Sequence, residues 1–341
     1  MNGPARSAGP FMHNVAEHLH TSAGNLSLRG STNRDGFPRA HWTAGQPAPA
    51  TLQSMLFLDL TVQGLVQGAI YALIALGLTL VYGLLRILHV AHAALFTLGG
   101  YVGVIVTNET DSLALAIALA MLSVGVLGIG VYRFCYRPLL GSPPLVALIA
   151  SIGLFIAAEE IYRLAFGPYG LSFTAPPLQT QVEILPGVFL SHARLMVMGL
   201  AVVIIGLLAW LSGSTRTGVA WRATVSDPDI ASSFGIDIEK VRYLNFFIGS
   251  ALAALAGVMV ALLNNLVEPT MGAVPAYKGL AIIVLGGLGS VRGTLAASLA
   301  LGVIESFGTI YAGHLLDRDA IAFAFLILVL MVRPRGLLVR G

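Results

Sequence analysis

From about residue 55 onward, long apolar runs alternate with short polar breaks. A bilayer core about 30 Å thick is spanned by about 20 mainly apolar residues in a helix that rises about 1.5 Å per residue. Runs at about 60–84, 87–107, 113–132, 144–166, 194–212, 242–264, 278–289, 294–312 and 319–333 approach or meet that length. The seventh has only 12 residues, from Lys278 to Gly289, and closes on Gly286, Gly287 and Gly289. That pattern predicts a half-helix or re-entrant segment there. The fold expected is an all-α polytopic membrane protein with eight or nine transmembrane helices.

Residues 1–54 break the pattern. They are rich in Gly, Pro, Ser and Asn, hold four of the eight histidines (His13, His18, His20, His41) and have no apolar run. Such a segment cannot build a packed core, and a signal peptide needs an apolar stretch of about 7–15 residues. It reads as a disordered extension or as a misassigned start, because Met55 stands just ahead of the first long apolar segment.

Composition sharpens the membrane reading. Hydrophobic residues make up 56% of the chain and charged ones 10%, with a mean hydropathy of +0.84, whereas a soluble domain carries about 25% charged residues. Only two of the 19 basic residues are lysines, Lys240 and Lys278, and the arginines are scattered; this is no electrostatic footprint for nucleic acid. The single cysteine, Cys135, rules out an intramolecular disulfide or a cysteine metal cluster.

The basic residues carry topology instead, because Lys and Arg favour cytoplasmic loops. Arg133 and Arg137, then Arg216, Arg222, Lys240 and Arg242, and finally Arg333, Arg335 and Arg340 mark three segments as cytoplasmic, including the C-terminus. The 30 residues from Leu164 to Ala193 hold no Lys or Arg and are expected outside. Parity is satisfied with nine crossings and an external N-terminal end.

Candidate chemistry is sparse. A P-loop needs Gly-Lys-Ser/Thr, but Lys240 follows Glu239 and Lys278 follows Tyr277, so any ATP hydrolysis must come from a partner. The segment AIIVLGGLGSVRG at 281–293 superficially resembles a dinucleotide-binding turn, yet its spacing is one residue too long and no βαβ unit surrounds it. In a membrane, Gly286, Gly287 and Gly289 instead permit close helix approach or a broken helix lining a pathway. His89 and His92, three apart, are expected on one helical face, as helix contacts or pathway residues. Glu159 and Glu160 can pair with Arg163 near the outer interface. Glu305 is an intramembrane acid with no partner identifiable from spacing. No cofactor or metal is implied.

Outside the bilayer the informative segment runs from Thr215 to Arg242. Asp227 can cap a short helix that begins at Pro228, with Asp229 at its positive end and Gly235 as its stop. Over about two turns, Ile230 and Phe234 fall on one face as an apolar knob. This is either an amphipathic connector packed on its own protein or a docking helix for a cytoplasmic partner.

Taken in order, GLVQGAIYALIALGLTLVYGLLRILHVAHAALFTLGGYV at 64–102, DPDIASSFGID at 227–237, SALAALAGVMVALL at 250–263, EPTMG at 268–272 and the glycine-rich segment at 281–293 resemble the permeases of branched-chain amino-acid ABC importers. They are most similar to the shorter of the two paralogous permease subunits. The resemblance implies a permease domain over 55–341 with a coupling loop at about 213–242. It also implies alternating access driven by ATP hydrolysis in two cytoplasmic ATP-binding subunits, a second paralogous permease, an extracytoplasmic solute-binding protein and a place in the lipid of a prokaryotic cytoplasmic membrane. On this likeness Asp227 to Gly235 is the coupling helix, and Ala231 and Gly235 match its alanine and glycine positions. The segment that commonly reads Asn-Phe-Ala-His-Gly in such permeases is His89-Val90-Ala91-His92-Ala93 here, which leaves the solute open among branched-chain amino acids, urea, short amides and other amino acids. A secondary transporter coupled through Glu159, Glu160, His89 or Glu305 and a membrane enzyme are the competing classes. The enzyme reading lacks a visible nucleophile, base and orienting group.

Overall fold

The computed structural model describes residues 50–185, 188–313 and 315–333. Eleven α-helices lie in them: α1 (Ala50–Leu85), α2 (His92–Thr110), α3 (Leu113–Val131), α4 (Pro144–Phe166), α5 (His192–Ser214), α6 (Arg216–Ser226), α7 (Pro228–Ser233), α8 (Ile238–Asn264), α9 (Ala273–Gly286), α10 (Val291–Tyr311) and α11 (Arg318–Val332). Of the expected N-terminal extension only residues 50–54 are described, and they open α1. Helices α1, α3, α4, α5, α8 and α10 are long and apolar enough to cross a membrane. The 14 residues of α9 rise only about 21 Å, in keeping with the short segment expected there.

The polar breaks start helices by supplying caps. Side-chain oxygens of Ser191, Thr215, Asp227, Asp237 and Ser290 each accept the amide three residues ahead, which satisfies a free N–H at the head of α5, α6, α7, α8 and α10. Burial then sorts the helices. The apolar windows of α1 and α8 are 83% and 78% buried, whereas those of α4 and α5 are 17% and 11%. Helices α1 and α8 therefore form the centre, and α4 and α5 present apolar faces outward, as lipid requires.

Two ends can be told apart by their contacts. At one end Tyr132 donates to Glu239, and Arg137 lies 3.4 Å from the same carboxylate, joining the extension of α3 to the start of α8. This end carries Arg133, Arg216, Arg222, Lys240 and Arg242. At the opposite end Asn108 bonds to the backbone of Ser172 and Thr174, and Leu171 bridges Val267. The stretch without Lys or Arg thus sits away from the basic loops.

Two departures from the sequence reading have local causes. The loop expected between α4 and α5 contains an antiparallel hairpin, β1 (Gln181–Leu185) and β2 (Val188–Ser191), in which Val182 pairs with Leu190. Alternating Val182 and Ile184 ahead of Pro186-Gly187 is the hairpin signal; the membrane-span pattern masked it. The helix expected over 87–107 instead begins at His92, after a break at residues 86–91. Arg86 takes φ +52°, which ends α1, and the Ser151 hydroxyl accepts the Ala91 amide at 2.9 Å, so α4 holds the broken backbone.

Candidate functional site

The residues of the expected coupling element come together in one short helix. Asp227 Oδ1 accepts the Ile230 amide at 2.9 Å, Pro228 opens α7, and Asp229 lies in its first turn. The helix is shorter than the two turns expected, ending at Ser233. Gly235, at φ +81°, donates to Ser232, and Ile236 donates to Ala231, the paired bonds of a Schellman stop that needs a left-handed residue at that place. Ala231 is buried, while Ile230 and Phe234 are 57% and 83% exposed. Thus α7 is anchored through Ala231 and turns its two large apolar side chains away from the chain. Beyond it, Asp237 caps α8; hydrogen bonds from the Lys240 amide and then its ammonium hold the Asp237 carboxyl below its ordinary range.

His89 and His92 are buried and adjacent, their ring centroids 5.7 Å apart. They do not share a helical face, since His89 belongs to the break and His92 starts α2. His89 Nδ1 lies 2.6 Å from the Tyr136 hydroxyl, on the π-helical turn Tyr132–Tyr136 that extends α3. Phe246 of α8 packs against both rings, with centroids 5.6 Å from each. The His92 ring lies against Gly77, where an added Cβ would come within 2.7 Å of the ring's Cε1. Among the described residues no group of three or more His, Cys, Asp or Glu converges, so the two histidines have no third protein donor.

Glu305 lies elsewhere, in a charge cluster the sequence reading did not assemble. Fully buried, it receives Lys278 Nζ at 2.9 Å on one oxygen, and the Tyr71 hydroxyl at 2.7 Å and Arg318 Nε at 2.9 Å on the other. Lys278 also reaches Asp319 at 2.9 Å and the Tyr71 oxygen at 3.0 Å, and Tyr277 donates to Asp319. Two cations and two carboxylates balance, and all three ammonium hydrogens have acceptors. The signal available in sequence was a lysine inside an apolar run with an acid of opposite sign in the next run, a combination that hydrocarbon tolerates only as a pair.

The glycines divide by role. Gly286 and Gly293 bring α9 and α10 into backbone contact: a Cβ on Gly286 would lie 2.4 Å from the Gly293 carbonyl carbon. Gly287 and Gly289, at φ +95° and +82°, make the turn between those helices. The close-approach reading therefore accounts for Gly286, and the turn for the other two. Glu159 and Glu160 pair with Arg163 at 3.4 and 2.9 Å on an exposed face, where such pairs contribute about 0–1 kcal/mol.

The described residues offer an exposed apolar knob at the basic end, a buried histidine pair near the same end and an ionic cluster centred on the buried Lys278–Glu305 pair. Comparison with known proteins bears on what such an assembly serves. A family model described as "Branched-chain amino acid transport system / permease component" matches residues 60–332. The high-affinity branched-chain amino acid transport system permease protein LivH of Salmonella typhimurium is 32% identical over 302 residues, covering 84% of this chain and 97% of that one. BraD of Pseudomonas aeruginosa, a permease protein of the same description, is 33% identical over 304 residues, covering 83% and 96%. The autoinducer 2 import system permease protein LsrC of Escherichia coli is 26% identical over 225 residues, covering 66% and 63%.

Proposed function

Because this chain belongs to the family of permease components of branched-chain amino acid transport systems, we propose that it is the membrane-spanning subunit of an ATP-binding-cassette importer. As a member of that family it is a multi-pass inner-membrane protein and a transport subunit. In our reading it works as a heterodimer with a second, paralogous permease. Two cytoplasmic ATP-binding subunits dock below, and an extracytoplasmic solute-binding protein delivers the solute from above. The basic end faces the cytoplasm, which puts α7 within reach of the ATPases and the β1–β2 hairpin outside. Helices α2 and α11 complete eight crossings, and α9 enters as the short ninth element that keeps the C-terminus cytoplasmic.

The observation that carries this reading is the construction of α7. Capped at Asp227, stopped at Gly235 and rooted through Ala231, it exposes Ile230 and Phe234 at the basic end. Large apolar side chains held rigidly in that position fit a groove on a partner better than they fit water. ATP-driven closure of the partners would push α7 and switch access to the pathway. The solute we assign is a branched-chain amino acid or a related small polar solute; the autoinducer 2 permease among the relatives supports keeping the second half of that statement. The buried histidines and Glu305 are pathway candidates of unequal standing, because every hydrogen-bonding position of the Lys278 ammonium around Glu305 is already occupied.

The experiment is affinity purification of the tagged full chain from gently solubilised native membranes, with partners identified by mass. Recovery of ATP-binding subunits and a second permease is expected. A chain that purifies alone, even after in-membrane crosslinking, would overturn the importer reading in favour of a self-sufficient transporter.

A further inference from the structure

An open crevice lies beneath α6, between α1, α5, α8 and the start of α10. Its walls are aliphatic: Leu76 and Leu80 from α1, Leu208 and Leu211 from α5, Leu244 and Ile248 from α8. Polar groups enter only on the basic side. Asn245 there is satisfied, donating to the Leu80 carbonyl at 2.8 Å, but the indole N–H of Trp221 is buried without a hydrogen-bond partner. A buried donor of this kind calls for an acceptor that the described residues do not supply.

Three further observations narrow the occupant. One wall belongs to α5, whose span is the least buried of the crossing helices, so the crevice continues onto a surface that meets hydrocarbon. On α6 the lining residues Thr217, Gly218 and Trp221 form a single stripe; at 3.6 residues per turn Arg222 borders it, and Arg216 opens the helix one residue before it. Both arginines are exposed, and among the described residues neither is ion-paired. An apolar slot, an unmet buried donor and two free guanidinium groups at the membrane boundary match a molecule with a hydrocarbon chain, an ester or phosphate oxygen and negative charge.

We propose that the crevice is a binding site for an anionic phospholipid, with an acyl chain between α1, α5 and α8, and the head group on Arg216, Arg222 and the Trp221 N–H. The site leads directly into function, because α6 runs through Asp227 into α7 with no intervening linker. A bound lipid would brace the helix that carries the docking element, and this consequence alone rests on the importer reading.

Trp221 is one of three tryptophans, so Trp42→Phe with Trp210→Phe leaves it as the sole fluorophore. The full chain would be placed in nanodiscs of phosphatidylcholine containing a small fraction of either phosphatidylglycerol or phosphatidylcholine brominated on its acyl chains. Two surface arginines correspond to a local enrichment of anionic lipid of about thirtyfold at low salt. The expected result is strong quenching by brominated phosphatidylglycerol at mole fractions where brominated phosphatidylcholine quenches little. Arg216→Gln with Arg222→Gln should abolish the preference while quenching at high phosphatidylcholine content stays unchanged, a sign that the fold is intact. Equal quenching by the two lipids, or a preference that survives both substitutions, would overturn the site. Absence of quenching by either would show the crevice closed or filled by another chain, and would also overturn it. Copurification of ATP-binding subunits tests the importer reading separately, so either idea can fail alone.

Discussion

Helices α2 and α8 meet backbone to backbone, whereas α9, α10 and α11 are joined by charge in addition to the glycine contact between α9 and α10. At the first seam a Cβ on Gly99 would lie 2.3 Å from the Ala254 Cα, and one on Gly257 would lie 1.9 Å from the Phe96 carbonyl oxygen. At the second, Asp319, Lys278, Glu305 and Arg318 form a chain of ion pairs, buried at Lys278 and Glu305 and half-exposed at both ends, with Tyr71 bonded to its buried centre. Helix α1 belongs to both, through Gly77 against Gly249 on one side and Tyr71 against Glu305 on the other. In hydrocarbon the hydrophobic effect gives helices no reason to associate, so packing and polar contacts must do it. The comparison teaches how the two solutions fail. A glycine seam is intolerant of added atoms and indifferent to salt or charge; a buried ion pair such as Lys278–Glu305 is intolerant of losing either charge, yet tolerates losing both.

The largest effect is expected at the ionic cluster, at its buried Lys278–Glu305 pair. Lys278→Met leaves Glu305 and Asp319 facing Arg318 alone, and removing one partner from a buried ion pair costs about 3–5 kcal/mol. Thermal unfolding in detergent should show a large loss, and Glu305→Leu a similar one. The double variant keeps Arg318 and Asp319, hence zero net charge, and should lose clearly less than the two single losses added together. Additive losses would mean that the charges do not act as one unit.

Next in size is the glycine seam. Gly257→Ala forces α8 away from the Phe96 carbonyl, and overpacking of this sort costs about 1–3 kcal/mol. The destabilisation should be the same at low and high ionic strength and should not be relieved by Gly99→Ala on the facing helix, which adds atoms to the same seam. Relief by the second substitution would place the tight contact somewhere other than between these backbones.

The two regions also differ in how far they were legible in the sequence. Apolar run lengths located most of the helices, because a bilayer core sets a minimum length for a crossing helix. The cap at Asp227 and the stop at Gly235 were legible because each depends on residues within a few positions of it. The ionic cluster was not, because Tyr71, Lys278 and Glu305 are brought together over separations of up to 234 residues, and no local pattern encodes a helix neighbour. The break at residues 86–91 was hidden for a related reason. Ile87, Leu88 and Val90 read as helix by hydropathy, while the groups that hold the backbone open, Ser151 and Tyr136, come from α4 and the end of α3.

Smaller effects on the fold, with larger ones on coupling, are expected at α7. Gly235→Val places a β-branched residue at φ +81°, where left-handed backbone costs an L-residue about 1–2 kcal/mol. No heavy atom lies within 4 Å of the added Cβ, so the cost is local to the stop. Unfolding should shift slightly, while ATP hydrolysis in the assembled importer should no longer respond to solute. Unaltered uptake at normal membrane levels would count against the coupling role of this turn.

The smallest effect on stability is expected from Phe234→Ala. The side chain is 83% exposed, it follows the last helical residue of α7, and surface substitutions of this kind change stability by about 0.5 kcal/mol or less. If the knob only filled space on its own surface, nothing else should change. If it seats in an ATP-binding subunit, truncation removes a buried aromatic anchor from an interface, and such anchors cost about 2 kcal/mol or more when cut back. That loss corresponds to about a thirtyfold weaker association, read as ATP-binding subunit retained on immobilised permease at increasing dilution. Ala231→Leu provides the contrast, because Ala231 is buried against its own chain and enlargement there should destabilise α7 itself. A Phe234→Ala chain that retains its partner while Ala231→Leu loses it would mean that α7 positions the contact without making it, and the interface would then have to be sought on the loop after Gly235.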